Sequence, residues 1–219
     1  MPLLSLINSR HRFLGYFLRL NSSVNDDKIV VPFTEVDNNV PLVDDYFFEV
    51  TLKVPIAQVP LASCICGKSA GSSSSLYRYQ LNLLGTSNSI DFIYYGSSFL
   101  RLSNFLSDYS GEVVTVRCEW VGNTKNIKVN NIIVATVTNA TARPIDHATM
   151  PFYVSVFGTV PNRGLDADYY SFNQNGTIFK CNEGSGFDVE STPTGATGTG
   201  QTANAGGLTY WDSNVWQKI

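Results

Sequence analysis

Gly111-Glu-Val-Val-Thr-Val-Arg-Cys-Glu-Trp-Val-Gly-Asn-Thr-Lys-Asn-Ile-Lys-Val-Asn-Asn-Ile-Ile-Val-Ala135 decides the fold of this chain. Apolar and polar residues alternate on both sides of Gly122-Asn123-Thr124, a period of two that places one set of side chains on each face of a strand. A glycine followed by asparagine between two such runs is a hairpin signal. Asn130-Asn131 reverses the chain a second time. The stretch therefore predicts a three-strand antiparallel meander of Val113–Trp120, Asn126–Val129 and Ile132–Thr136.

The same reading extends outward in both directions. Upstream, Phe48, Val50, Leu52 and Val54 alternate with Phe47, Glu49, Thr51 and Lys53, the pattern of a half-buried strand. Lys28–Phe33, Leu76–Leu84, Ile90–Tyr95 and Phe99–Leu102 are further strand candidates, with Gly67–Ser75 read as a long loop between them. Downstream, Pro151–Gly158, Asp168–Phe172 and Thr177–Cys181 continue the series. About ten short strands, with no amphipathic helix longer than three turns, predict an all-β fold in which two antiparallel sheets pack as a β-sandwich. Residues 1–27 are expected to form an N-terminal arm and residues 28–190 the sandwich. Residues 191–219 are expected to supply a Gly/Thr-rich loop, Ser191 to Gly207, and an apolar docking segment, Leu208 to Trp216.

Composition agrees and narrows the function. The 219 residues include 13 Phe, 11 Tyr and 3 Trp, with 15% charged and 43% hydrophobic, which supports a sizeable sheet-rich core. A net charge of −3 leaves no positive field to gather phosphates, so no nucleic-acid partner is expected. No apolar run reaches the roughly 20 residues of a membrane span. The apolar segment Met1 to Leu20 has its basic residues after the first apolar cluster and no small-residue cleavage site, so it is read as a packing arm and not as a secretory leader. Cys64, Cys66, Cys118 and Cys181 are too few for a disulfide framework, and free thiols are expected. The sequons at Asn21, Asn139 and Asn175 carry little weight in an Asn- and Thr-rich chain.

The meander resembles a known family. Val113–Trp120, its turn, Ile127–Asn131 and Ile132–Ala135 are similar to the central strands of laminin-G-like, concanavalin A-like jelly rolls. Phe152–Gly158 takes the part of the later apolar strand, and Gly164–Phe172 that of the returning one. The likeness spans Tyr46 to Cys181 and departs at Asn130-Asn131, where the family has a glycine. The variety it most suggests belongs to bacteriophage tail and virion proteins. What the resemblance implies is a structural protein of the virion with a lectin-like sandwich. It would assemble with other virion subunits as a homo-oligomer and bind host-surface carbohydrate; a capsid decoration protein without a ligand is the plainer version.

Direct chemical signals are sparse. Glycosidases of this fold carry their acids in a Glu-x-Asp-x-Glu or Glu-x-Asp-x-x-Glu string, and none exists here. Asp188-Val-Glu190 and Asp166-Ala-Asp168 are the nearest pairs, and they carry the alternative reading of a polysaccharide-degrading enzyme. The only histidines, His11 and His147, sit in no nucleophile motif, and although Asp146-His147 could join Asp166 and Asp168 at a cation, no metal site and no cofactor is expected. Sugar recognition needs an aromatic face and nearby amides. Tyr94, Tyr95, Trp120, Asn123 and Asn126 are the candidate carbohydrate-binding residues, with Trp211, Trp216, Asn130 and Asn131 as further aromatic and loop positions.

Overall fold

The computed structural model describes residues 16–20, 28–31, 45–56, 62–69, 77–95, 98–139, 152–155, 164–181, 188–192, 197–204, 207–209 and 216–218. These residues form two antiparallel sheets packed face to face. Sheet A contains β1 (Tyr16–Leu20), β3 (Tyr46–Lys53), β8 (Val113–Val121), β9 (Thr124–Val129), β10 (Ile132–Thr138), β12 (Ala167–Gln174), β13 (Thr177–Lys180) and β17 (Trp216–Lys218). Sheet B contains β2 (Lys28–Val31), β4 (Ala62–Ser69), β5 (Tyr77–Leu84), β6 (Ser89–Tyr95), β7 (Ser98–Ser103), β11 (Phe152–Val154) and β15 (Thr197–Asn204). A short helix, α1 (Phe105–Tyr109), joins β7 to β8. Among the described residues no helix is long and apolar enough to cross a membrane.

The predicted meander is present, its three strands pairing antiparallel in sequence order. Trp120 faces Tyr46 and Lys125, Cys118 faces Phe48 and Ile127, and Val116 faces Val50 and Val129. Asn130 and Asn131 occupy the left-handed region with φ of 50° and 68°, as the two central residues of a type I′ turn must. Asparagine tolerates this conformation, so a glycine is dispensable at this turn. Asn130 Oδ1 also accepts a hydrogen bond from Thr115 N at 3.0 Å, which ties the turn to the neighbouring strand.

Between the sheets lies a continuous aromatic core. Phe92 meets Trp120 edge-on at 4.8 Å, Tyr79 meets it at 5.5 Å, and Phe172 stacks on Phe179 at 4.4 Å. The Tyr46 and Tyr79 hydroxyls, one from each sheet, bond to each other at 2.8 Å, so neither buried oxygen lacks a partner. All four cysteines are buried and free. Burial holds their thiols well above the ordinary range, Cys66 and Cys118 included, which leaves them without thiolate reactivity.

Three segments differ from the sequence reading. Gly67 to Ser69, expected in a loop, end strand β4, whose residues from Ser63 to Cys66 are buried on both faces and so show no alternation. Gly67 is needed there, because a Cβ would stand 2.5 Å from Tyr79 O. Ser191–Gly207, also expected as a loop, contributes to β14 (Asp188–Thr192), β15 and β16 (Gly207–Thr209). β14 pairs with β13 of sheet A through Ser191 and Thr192 and with β15 through Asp188 to Glu190. It carries the hydrogen bonding from one sheet to the other. Finally, part of the N-terminal arm is strand β1, which lies between β12 and β17 with Leu18 and Leu20 fully buried.

Candidate functional site

Alternation along β3, β8 and β9 builds a second surface opposite the core. The odd-numbered residues Phe47, Glu49, Thr51 and Lys53 of β3 face outward and pair across the sheet with Glu119, Arg117, Thr115 and Val113 of β8. Asn126 and Lys128 of β9 extend these rows, with Thr136 of β10 beyond Asn126. On the other flank Asn173, Ser171 and Asp168 of β12 stand opposite Glu49, Thr51 and Lys53. Six residue steps at a strand's rise make this polar face about 20 Å long.

Glu119 organises one end. It is 3% exposed, although it points away from the core. Lys128 Nζ lies 2.8 Å from Oε1 and 3.0 Å from Oε2, Arg117 Nε donates to Oε2 at 3.0 Å, and Asn126 Nδ2 donates to Oε1 at 3.0 Å. Thr136 Oγ1 in turn donates to Asn126 Oδ1 at 2.7 Å. Burial alone would push the Glu119 carboxyl up; the hydrogen bonds of Lys128 and Asn126 and the charges of Lys128 and Arg117 outweigh it and hold the group below the usual carboxylate range. The Arg117 guanidinium also lies over the Phe47 ring, 3.5 Å from its centroid.

Glu49, one row away, behaves oppositely. Its burial raises the carboxyl, and the charges of Arg117 and Lys128 bring it only part of the way back. Among the described residues its oxygens accept no hydrogen bond. Across the strand pair Asn173 uses Oδ1 to accept from Gly176 N at 2.9 Å, and among the described residues its amide nitrogen donates to no acceptor.

The far end of this face opens into a cleft of about 260 Å³ lined by Arg19, Lys53, Pro55, Ile56, Asp166 and Asp168, among others. Arg19 holds Asp168 through two hydrogen bonds of 2.7 and 3.0 Å. That fork commits both oxygens of Asp168 to a guanidinium. Of the Asp166-Ala-Asp168 pair, the second acid is thus held in an ion pair with the arm. Asp188 and Glu190 lie on β14, where only the backbone is described; His11, Asp146, His147 and Trp211 fall outside the described residues. Among those described, no group of His, Cys, Asp and Glu is arranged to hold a metal ion.

Of the five residues proposed from sequence, the four whose side chains are described do not form one platform. Trp120 is 3% exposed and sits at the centre of the core, because it shares the face of Cys118 and Val116; its ring is not available for stacking. Tyr94 is likewise buried, its hydroxyl accepting from Asn139 Nδ2 at 2.7 Å. Asn123 is an exposed turn residue, and Asn126 belongs to the Glu119 network on the outer face. The Tyr95 side chain lies outside the described residues, as does that of Trp216 on β17. Phe47, Glu49, Arg117, Glu119 and Lys128 were not singled out by sequence, although the polar half of the same alternation marks them.

No protein-family model matches the chain, and no curated protein matches it by sequence. Solved structures do match its fold. One is a Bacteroides ovatus ATCC 8483 protein proposed to bind carbohydrate, with a TM-score of 0.62, 12% identity, and coverage of 94% of this chain and 60% of that one. Another is the pair of domains LG4-5 of the mouse laminin alpha1 chain, with a TM-score of 0.53, 14% identity, and coverage of 84% of this chain and 46% of that one. The chain thus spans less than two thirds of the length of either. The fold is that of the jelly-roll sandwiches to which laminin G domains belong, as the meander suggested.

Proposed function

We propose that this chain is a carbohydrate-binding, lectin-like module that takes its ligand along the outer face of β3, β8, β9 and β12. The observation that carries the reading is Glu49. A half-buried carboxylate that has no hydrogen-bond donor among the described residues, flanked by the charges of Arg117 and Lys128 and by Asn173 across the strand pair, offers acceptors and donors for sugar hydroxyls. The same fold in a protein proposed to bind carbohydrate supports this. The narrower setting, a subunit of a phage virion or tail that assembles as a homo-oligomer and meets host-surface glycan, rests on the sequence resemblance of Gly164–Phe172 and its neighbours. A hydrolytic role is the weaker reading, since Asp168 is held by Arg19.

The test is a glycan array with the full chain, run beside its mass in solution by light scattering. Selective binding is expected, weakened roughly tenfold by Glu49→Ala or Asn173→Ala, a loss of about 1.4 kcal/mol. Both variants leave the Glu119 network intact. An array on which nothing binds, or variants that bind as the parent does, would overturn the proposal.

A further inference from the structure

The end of the sandwich near the β8–β9 turn holds a group that sugar binding does not use. Lys125, on β9, is 0% exposed and turns its ammonium into the protein, where no carboxylate among the described residues pairs with it. Its Nζ instead lies 2.8 Å from Asn139 O, 2.9 Å from Asn139 Oδ1 and 3.3 Å from Asn123 O. The Tyr94 ring is beside it, with 5.7 Å from Nζ to the centroid. A buried cation without a counter-charge is costly, and desolvation lowers the Lys125 ammonium below its ordinary range. A larger fraction of it is the neutral amine, the nucleophilic form.

Asn139 is placed to receive that amine. It follows β10 directly, and because Lys125 pairs with Val137 on that strand, Asn139 lies two residues on and one turn of the pleat away. Its Oδ1 is held against Nζ, its Nδ2 donates to the Tyr94 hydroxyl at 2.7 Å, and its backbone N donates to Asn123 O at 2.9 Å. Amine and amide are thus fixed at hydrogen-bond distance, the arrangement that turns a slow bimolecular step into an intramolecular one.

We propose that Lys125 and Asn139 form an intramolecular isopeptide bond that staples β9 to the end of β10. The neutral amine attacks Cγ of Asn139, the new Nζ–Cγ bond forms, the Cγ–Nδ2 bond breaks, and ammonia leaves. The amine proton ends on the departing nitrogen, which Tyr94 holds in place by accepting from Nδ2. No oxidant and no co-reactant is consumed.

Intact-mass spectrometry of the full chain after days at mildly alkaline pH decides the matter. A loss of roughly 17 Da, one ammonia, is expected, with a proteolytic fragment that joins the segments carrying Lys125 and Asn139. Lys125→Arg and Asn139→Ala should each restore the sequence mass, and Tyr94→Phe should slow the loss. The variants also exclude a succinimide at Asn175-Gly176, which would give the same mass change and survive Lys125→Arg. A parent that keeps its sequence mass, or a loss that persists in Lys125→Arg, would overturn the proposal.

Discussion

Trp120 and Glu119 are adjacent in sequence and equally hidden, each 3% exposed, yet they are buried on opposite faces of one strand and by opposite means. On the inner face Trp120 is surrounded by Tyr46, Phe48, Tyr79 and Phe92, all within 6.3 Å between ring centroids. Its burial is a matter of apolar area and ring packing. On the outer face Glu119 is enclosed by two cations and an amide, which cover it from solvent and satisfy its oxygens. Accessibility alone therefore does not separate core from site on a sheet. The nature of the partners does, and only the second kind of burial responds to pH.

The largest expected effect is on the inner face. Trp120→Ala should cost about 3–5 kcal/mol in chemical denaturation, with the same value at pH 7 and pH 4, because it removes packing and no titrating group. A smaller loss would mean that the aromatic cluster collapses around the gap. Next comes the outer face. Glu119→Gln should cost about 1–3 kcal/mol at pH 7, since it leaves Arg117 and Lys128 without their shared carboxylate. Glu119 is held below the usual range in the folded chain, so its contribution is present above the unfolded value and is lost as pH falls through the folded one. The penalty of Glu119→Gln should shrink along that descent, and one that stays constant with pH would show the ion network to be packing in disguise.

Glu49 gives the smallest effect and the opposite sign. Its carboxyl is raised in the folded chain, so its contribution is full below the unfolded value and is lost as pH rises through the folded one. Glu49→Gln should slightly raise the melting temperature at pH 7 and leave it unchanged at low pH. If the variant lowers stability at pH 7, Glu49 has a donor that holds it charged. A gain in stability with a loss of glycan binding is the pattern of a group kept for function.

Most of this was visible along Val113–Thr138, where each strand has one apolar and one polar face and the two turns carry glycine and asparagine. The position of Trp120 was visible there too: it is in step with Cys118, Val116 and Val114, and a ring in step with the core belongs to the core. Strand β4 was not, because Cys64, Ile65 and Cys66 are all buried and no alternation survives when both faces are covered. Strand β15 was hidden for a different reason. Thr197-Gly-Thr-Gly-Gln-Thr-Ala-Asn204 has almost no apolar side chain, and its place is set by backbone pairing with β2 and β14, which leaves no trace in composition. The outer face was legible as a set of polar positions, but which of them enclose one another depends on register across three strands. The ion pair of Arg19 with Asp168 joins residues 149 apart, beyond the reach of any local pattern.

The pairing of β1 with β17 has a mechanical consequence. Tyr16 lies opposite Lys218, so the first residue of β1 and the last of β17 stand at the same corner of the sheet. A pull applied between the two ends would not shear the sandwich along its strands; it would open this pair like a zipper, one rung at a time, beginning at Tyr16 and Lys218. The load meets single hydrogen-bonded rungs in succession, while the aromatic core stays untouched until β1 begins to peel from β12. Loaded between Tyr16 and Lys218, the fold would yield first at this seam.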